Sequence, residues 1–220
     1  MTEDQWAEAE EDAIWPVLLP LGDRRHRLLA VALVRSLERL ASGAVITAAL
    51  EVAEKFADTR KTKAAMKRAR DALSDARVAL AEPHGRTMDR TIRGAYMTMF
   101  VASVACSENG AAGAIRETVL AWREGEDVSK ADARRRVYPV FREVAGPDTP
   151  VAFDLSWRTD TAVLLARQMY DSRDFSAMPI LADALQDAGC DNEDVLNHCR
   201  DTGAKHVRGC WVVDLVLGKS

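Results

Sequence analysis

A chain of 220 residues can bury a substantial hydrophobic core without a disulfide or a metal ion to hold it together. Its net charge of −4 argues against a dedicated nucleic-acid binder, whose domain is normally basic. Apolar residues make up 48% of the chain but aromatic residues only 6%, which favours helices packed through small side chains. We therefore expect an all-α fold.

The N-terminus is acidic and lacks the basic flank and apolar stretch of a signal peptide. The chain also lacks a run of about eighteen uncharged apolar residues, the minimum for a membrane span. These features predict a cytoplasmic protein without a membrane partner. In that reducing compartment, the four cysteines are expected to be free thiols or metal ligands rather than disulfides.

In chain order, the first predicted element is a short acidic helix over residues 3–12. An apolar elbow with two prolines follows, and it contains Ile14, Trp15, Val17 and Leu18. The segment from Asp23 to a stop at Ser42 and Gly43 is apolar on most sides, and we predict that it is the central buried helix.

Helical periodicity continues through the middle of the chain. Helices are predicted over residues 44–57 and 60–81, and the second has one apolar stripe, formed by Met66, Ala69, Leu73, Ala76 and Leu80. Thr87 or Asp89 is predicted to cap the next helix. Gly110 and Gly113 interrupt the helical pattern. Two further helices are predicted after them, over residues 114–122 and 129–144.

Residues 146–150, with the sequence GPDTP, are the best candidate for a linker. They divide the chain into an N-terminal helical bundle, residues 1–145, and a compact C-terminal helical module, residues 151–220. The two parts are also compatible with packing as one domain.

The C-terminal module is predicted to contain four helices. They cover residues 159–170, a segment that starts near Pro179 and ends at Gly189, a short helix capped by Asp191 or Asn192, and residues 210–217. The last segment is rich in valine and would also suit a strand, but helix is the preferred assignment.

Thiols and imidazoles are concentrated near the C-terminus, at Cys190, His198, Cys199, His206 and Cys210. A structural zinc ion needs four such ligands in a tetrahedron, and the candidate set is Cys190, Cys199, His206 and Cys210. The spacing lacks a C-x2-C pair, and adjacent His198 and Cys199 point about 100° apart on a helix. Free cysteine is also common in ordinary cores, so core packing is the favoured interpretation and zinc the alternative.

Six cations without an intervening acid lie in residues 60–70, and four of them recur at helical spacing, Arg60, Lys63, Lys67 and Arg70. Such a face can attract an acidic protein partner. No aromatic residue is interleaved for base stacking, which makes nucleic acid a poor candidate. The plainest interpretation is a solvated face whose aliphatic stems cover the edge of the apolar stripe.

Several segments resemble a set of paralogous proteins from planctomycete bacteria. In the N-terminal part of the chain these segments are Trp6, the pair Arg24 and Arg25, and the run AALEVAEKFADTRKTKAAMKRARDA. In the C-terminal part they are ARQMYDSRDFSAMPILADALQDAGC, NHCR and HVRGCWVVDLVLGK. No chemistry is known for that family, so the resemblance implies a shared fold and a bacterial origin, and no mechanism.

No catalytic constellation emerges from the sequence, and we expect a non-enzymatic protein. An interaction role, as an adaptor or scaffold with protein partners, is the favoured function. The alternative is a metal-binding or redox module built on the C-terminal cysteines and histidines. DNA binding through the corner at Gly189 is less favoured, because the helix that follows starts with acids that would repel phosphates.

Overall fold

A computed structural model describes residues 1–9, 13, 16, 19–61, 63–84, 87–107 and 113–219. These residues form eleven α-helices and no strand, which confirms the predicted all-α class and the multi-helix bundle. The apolar elbow (Ile14, Trp15, Val17 and Leu18) and Gly110 lie outside the described residues.

The chain divides into two compact units, Met1–Val140 and Phe141–Ser220. The first contains α1 (Glu3–Glu8), α2 (Gly22–Ser36), α3 (Ala44–Thr59), α4 (Lys63–Ala81), α5 (Arg90–Ala105), α6 (Ala114–Glu126) and most of α7 (Lys130–Ala145). The second contains the last turn of α7 and α8 (Asp160–Ser172), α9 (Met178–Asp187), α10 (Glu193–Arg200) and α11 (Trp211–Leu217). The boundary follows Pro139, which lies inside α7 and donates no backbone hydrogen bond there.

Helix α2 is the predicted central helix of the first unit. It packs against α3, α5 and α6, and it buries Leu28, Leu29 and Leu33 almost completely. The helix ends at Ser36, earlier than the predicted stop at Ser42 and Gly43. The chain tightens there into turns, in which the N–H of Leu37 bonds to the carbonyl of Val34 at 3.0 Å.

Helix α4 starts at Lys63, later than the predicted residue 60. Arg60 ends α3 instead, because its backbone adopts the left-handed conformation (φ 53°) and its N–H bonds to the carbonyl of Phe56. Of the predicted apolar stripe, Met66 and Leu73 are buried, whereas the other three members are half-buried. The register of α4 is therefore as predicted.

Helices α5 and α6 approach each other closely at two glycines. A Cβ atom on Gly125 would lie 2.8 Å from Cδ2 of Leu40 and 3.2 Å from Cα of Gly94. Any side chain at this position would therefore displace its neighbours, which explains why glycine fits the contact.

The short helices of the second unit begin at or next to the predicted positions, and one of the two residues predicted to cap α10 does so. Thr159 caps α8, Pro179 lies in the first turn of α9, and Asn192 caps α10 through a 3.1 Å bond from the N–H of Val195. The segment 211–217 is a helix, which confirms the preferred assignment over the strand. Gly189, at φ +91°, makes the corner between α9 and α10.

The core of the second unit joins aliphatic residues with three buried thiols. Cys190, Cys199 and Cys210 all belong to one cluster of buried residues with Leu181 and Leu185. The predicted linker, residues 146–150, lies within this unit, where Gly146 (φ +81°) sits under the ring of Trp211. The division into domains at 1–145 and 151–220 stays a prediction.

Candidate metal centre

Four side chains of the second unit bring metal-binding atoms together. Glu143, His198, His206 and Cys210 each offer one ligand atom, and these atoms lie within 4.8 Å of one another. Glu143 comes from the last turn of α7 and His198 from α10. His206 and Cys210 belong to the segment between α10 and α11, which contains turns but no helix.

The register of α10 decides which of its side chains joins this cluster. Val195 and Cys199 are one turn apart, and both are buried in the core. His198 is rotated by about 100° from Cys199 and points to the edge of the core, where 16% of its side chain is exposed. The imidazole, and not the neighbouring thiol, is therefore presented to Glu143 and Cys210.

Three of the distances within the cluster are close to those of a coordination shell. Nδ1 of His206 lies 3.1 Å from Oε1 of Glu143, and Nε2 of His198 lies 3.3 Å from Oε2 of the same carboxylate. Nε2 of His198 is also 3.2 Å from Sγ of Cys210. Tetrahedral zinc, with bonds of about 2.0–2.3 Å, sets its ligand atoms about 3.3–3.7 Å apart. The three short distances are close to these ligand–ligand separations. The longest separation, up to 4.8 Å, must shorten by about 1 Å when zinc binds.

The cluster is shielded from solvent. Only 5% of the Glu143 side chain and 6% of the His206 side chain are exposed, and Cys210 is fully buried. Burial, together with the Glu143 carboxylate, raises the pKa of Cys210 well above its usual value. Burial also lowers the pKa of His198, against the opposing effect of Glu143. The neutral imidazole needed for metal binding is thus favoured, whereas the thiol must lose a proton.

A tryptophan orients one of the imidazoles. The indole N–H of Trp211 donates to Nδ1 of His198 at 3.2 Å, which puts the proton of the neutral ring on Nε2. A metal at Nε2 moves that proton to Nδ1, where it faces the indole N–H. Trp211 must then give up this hydrogen bond, so binding is coupled to its side chain.

The second imidazole has one nitrogen directed at the cluster and one directed away. Nδ1 of His206 faces Glu143, while Nε2 is buried and has no hydrogen-bond partner among the described residues. The backbone N–H of Val207 donates to Oε1 of Glu143 at 3.3 Å. The carboxylate is therefore held in place by the same segment that supplies His206.

Of the predicted zinc ligands, the structure brings together His206 and Cys210 only. Cys190 and Cys199 do not belong to the four-residue cluster, and both are buried in the core. Burial raises the pKa of Cys199 to about 12, which suits an inert packing thiol. Glu143 was missed because it lies 63 residues before His206. His198 was set aside, although the register that buries Cys199 indicates it.

The predicted partner-binding cations also separate into two groups. Lys63, Lys67 and Arg70 line a cavity of about 300 Å³ in the first unit, together with Phe56, Ala64, Met66 and Cys106. Arg60 is not part of that lining, and it forms an ion pair with Asp23 at 3.1 Å.

The described helices are all too short or too polar to cross a lipid bilayer. The cytoplasmic location and the resemblance to planctomycete proteins stay predictions. Comparison with protein-family models, with curated proteins and with solved structures found no match to this chain.

Proposed function

We propose that residues 141–220 form a zinc-binding module in which Glu143, His198, His206 and Cys210 hold one Zn²⁺. The proposal is carried by a single observation, the convergence of one carboxylate, two imidazoles and one thiol within 4.8 Å in a buried site.

The ligand types favour zinc over other common cations. Mg²⁺ and Ca²⁺ prefer oxygen ligands, whereas zinc accepts nitrogen, oxygen and thiolate sulfur in a tetrahedron. The two positive charges of Zn²⁺ balance the carboxylate of Glu143 and the thiolate of Cys210. A buried, electrically balanced site costs far less than an isolated buried charge.

Four protein ligands leave no position for a water molecule or a substrate, so the role of this zinc ion is structural. It joins the last turn of α7, helix α10 and the segment that leads into α11. That segment, residues 201–210, contains no helix to hold its own backbone in place. The metal ion therefore acts as a crosslink inside the second unit.

The first test is the metal content of the protein, purified natively without chelator or histidine tag. Inductively coupled plasma mass spectrometry is expected to give about one zinc per chain. Cys210→Ala and Cys190→Ala form a matched pair, because each removes a buried thiol from the same core but only the first removes a ligand. Zinc should be lost from the first variant and kept in the second.

A spectroscopic measurement on the wild-type protein separates ligand loss from misfolding. Reconstitution with Co²⁺ should give the intense visible absorption of a tetrahedral site together with a thiolate charge-transfer band. Glu143→Gln should keep the thiolate band and bind cobalt more weakly. A wild-type protein without metal and without these bands would contradict the proposal, as would equal zinc contents in the two cysteine variants.

A further inference from the structure

The cavity next to α4 has an apolar floor and a cationic edge. The buried residues Phe56, Met66 and Cys106 supply the floor, and the edge is formed by Lys63, Lys67 and Arg70 together with the exposed Ala64. Its volume of about 300 Å³ is at the small end of the range for ligand pockets, enough for one large side chain.

The floor consists of buried side chains that are themselves neutral. Phe56 and Met66 are 6% and 4% exposed, and the guanidinium of Arg27 stacks on the ring of Phe56 at 4.9 Å. Sγ of Cys106 lies 3.5 Å from the carbonyl of Ala49, and burial raises the pKa of this thiol to about 11. The thiol is therefore neutral at physiological pH, and the floor accepts an apolar group.

The spread of the cations along α4 defines the shape of the ligand. A helix rises about 1.5 Å per residue, so Lys63 and Arg70 are about 10 Å apart along the axis. An extended peptide covers about 3.3 Å per residue, and three or four residues match the span.

Lys67 also remains available to a ligand. Lys67 pairs with Asp71 at 2.7 Å, but both side chains are largely exposed, at 70% and 49%. Exposed pairs of this kind contribute little to stability, so a competing acidic group can replace Asp71.

We propose that this cavity binds an acidic segment of a partner protein, with one apolar side chain in the cavity and flanking acids on Lys63, Lys67 and Arg70. The positive charge at the edge of the cavity favours an acidic partner, because the two charges are complementary. A nucleic acid fits less well, because Phe56, the aromatic residue of the described lining, is buried and the whole chain is acidic. This site is independent of the proposed zinc centre.

The test uses fluorescence anisotropy of the full chain with labelled hexapeptides at about 0.15 M salt, where charges more than about 8 Å apart are largely screened. The acidic peptides EELLEE, EEFFEE and EEMMEE carry an apolar centre, EESSEE lacks it, and KKLLKK reverses the charge. At least one of the first three should bind about tenfold or more tightly than EESSEE, and KKLLKK should not bind.

Charge-reversal variants locate the site. Lys67→Glu and Arg70→Glu should weaken binding of the best peptide about tenfold, whereas Arg68→Glu, on the same helix but outside the lining, should change it less than about threefold. Circular dichroism checks that each variant is folded.

Three results would overturn the proposal. The first is the absence of binding by all three peptides with an apolar centre, and the second is equal weakening by Arg68→Glu and Arg70→Glu. The third is tighter, competing binding of a thymidine oligonucleotide, which would indicate a nucleic-acid site instead.

Discussion

The main helices of the first unit, α2 to α6, have 13 to 19 residues, whereas the four complete helices of the second unit have 7 to 13. Isolated helices shorter than about 12–15 residues are marginal in water. The first unit can rely on long apolar stripes and close helix contacts, such as the one at Gly94 and Gly125. The second has less helix to pack, and it places a polar cluster of candidate metal ligands where the irregular segment 201–210 meets the core.

Removal of zinc should cause the largest loss of stability, and only the second unit should be destabilised. Zinc at about a thousand times its Kd adds about 4 kcal/mol to the free energy of unfolding of the unit that binds it. Treatment with a chelator should therefore increase amide hydrogen exchange in α10, in α11 and in residues 201–210. Exchange in α2 to α6 is the internal control, and an equal increase there would refute a local crosslink.

Gly125→Ala should be the next largest change, now in the first unit. The added methyl group meets Leu40 at 2.8 Å and the backbone Cα of Gly94 at 3.2 Å, and overpacking typically costs about 1–3 kcal/mol. The better helix propensity of alanine offsets up to about 1 kcal/mol of this cost. Gly113→Ala is the matched control, because no atom of the described residues lies within 4 Å of a Cβ atom there. Urea denaturation measures both variants, and equal stabilities would show that the contact between α5 and α6 is looser than described.

The affinity for zinc should rise with pH. Burial holds the pKa of Cys210 above its usual value, so the thiol is protonated near neutral pH in the metal-free protein. Zinc binds the thiolate and releases that proton, which makes the affinity about tenfold higher per pH unit between about pH 6 and about pH 8. Competition with a chelating dye measures the slope, and an affinity independent of pH would exclude Cys210 as a ligand.

Trp211→Phe should produce the smallest change and should tighten zinc binding. The indole hydrogen bond to Nδ1 of His198 must be given up on binding, and such a bond is worth about 1 kcal/mol. A variant that never forms this hydrogen bond does not have to break it, so its affinity for zinc should be about fivefold higher. Trp157→Phe, in the same core but with its ring against Phe153, should leave the affinity unchanged. Weaker binding by Trp211→Phe would show that packing of the indole matters more.

The sequence predicted the helices well, because their signals are local. Asp89 and Asn192 were both proposed as caps, and each accepts a hydrogen bond from the backbone N–H three residues later. Helix ends were less accurate, as at Arg60, where a non-glycine residue takes a left-handed conformation that no sequence rule favours.

The candidate site was only half predicted, for a geometric reason. His206 and Cys210 were selected by composition, but Cys190 and Cys199 were selected with them although they face the core. Glu143 lies 63 residues before His206 and joins the cluster only through tertiary packing. The periodicity of a single sequence does not predict a contact between residues so far apart.

The indole of Trp211 touches the imidazole of His198, one of the proposed ligands, with the two ring centroids 5.1 Å apart. The second unit therefore contains its own optical reporter. Its emission would be quenched when Co²⁺ or Cu²⁺ enters the cluster, which makes the rate of metal exchange measurable by stopped-flow fluorescence without an added dye. The same tryptophan ring lies on Gly146, whose Cβ would be 3.2 Å from the indole, so a change in the turn after α7 would be visible in the same signal.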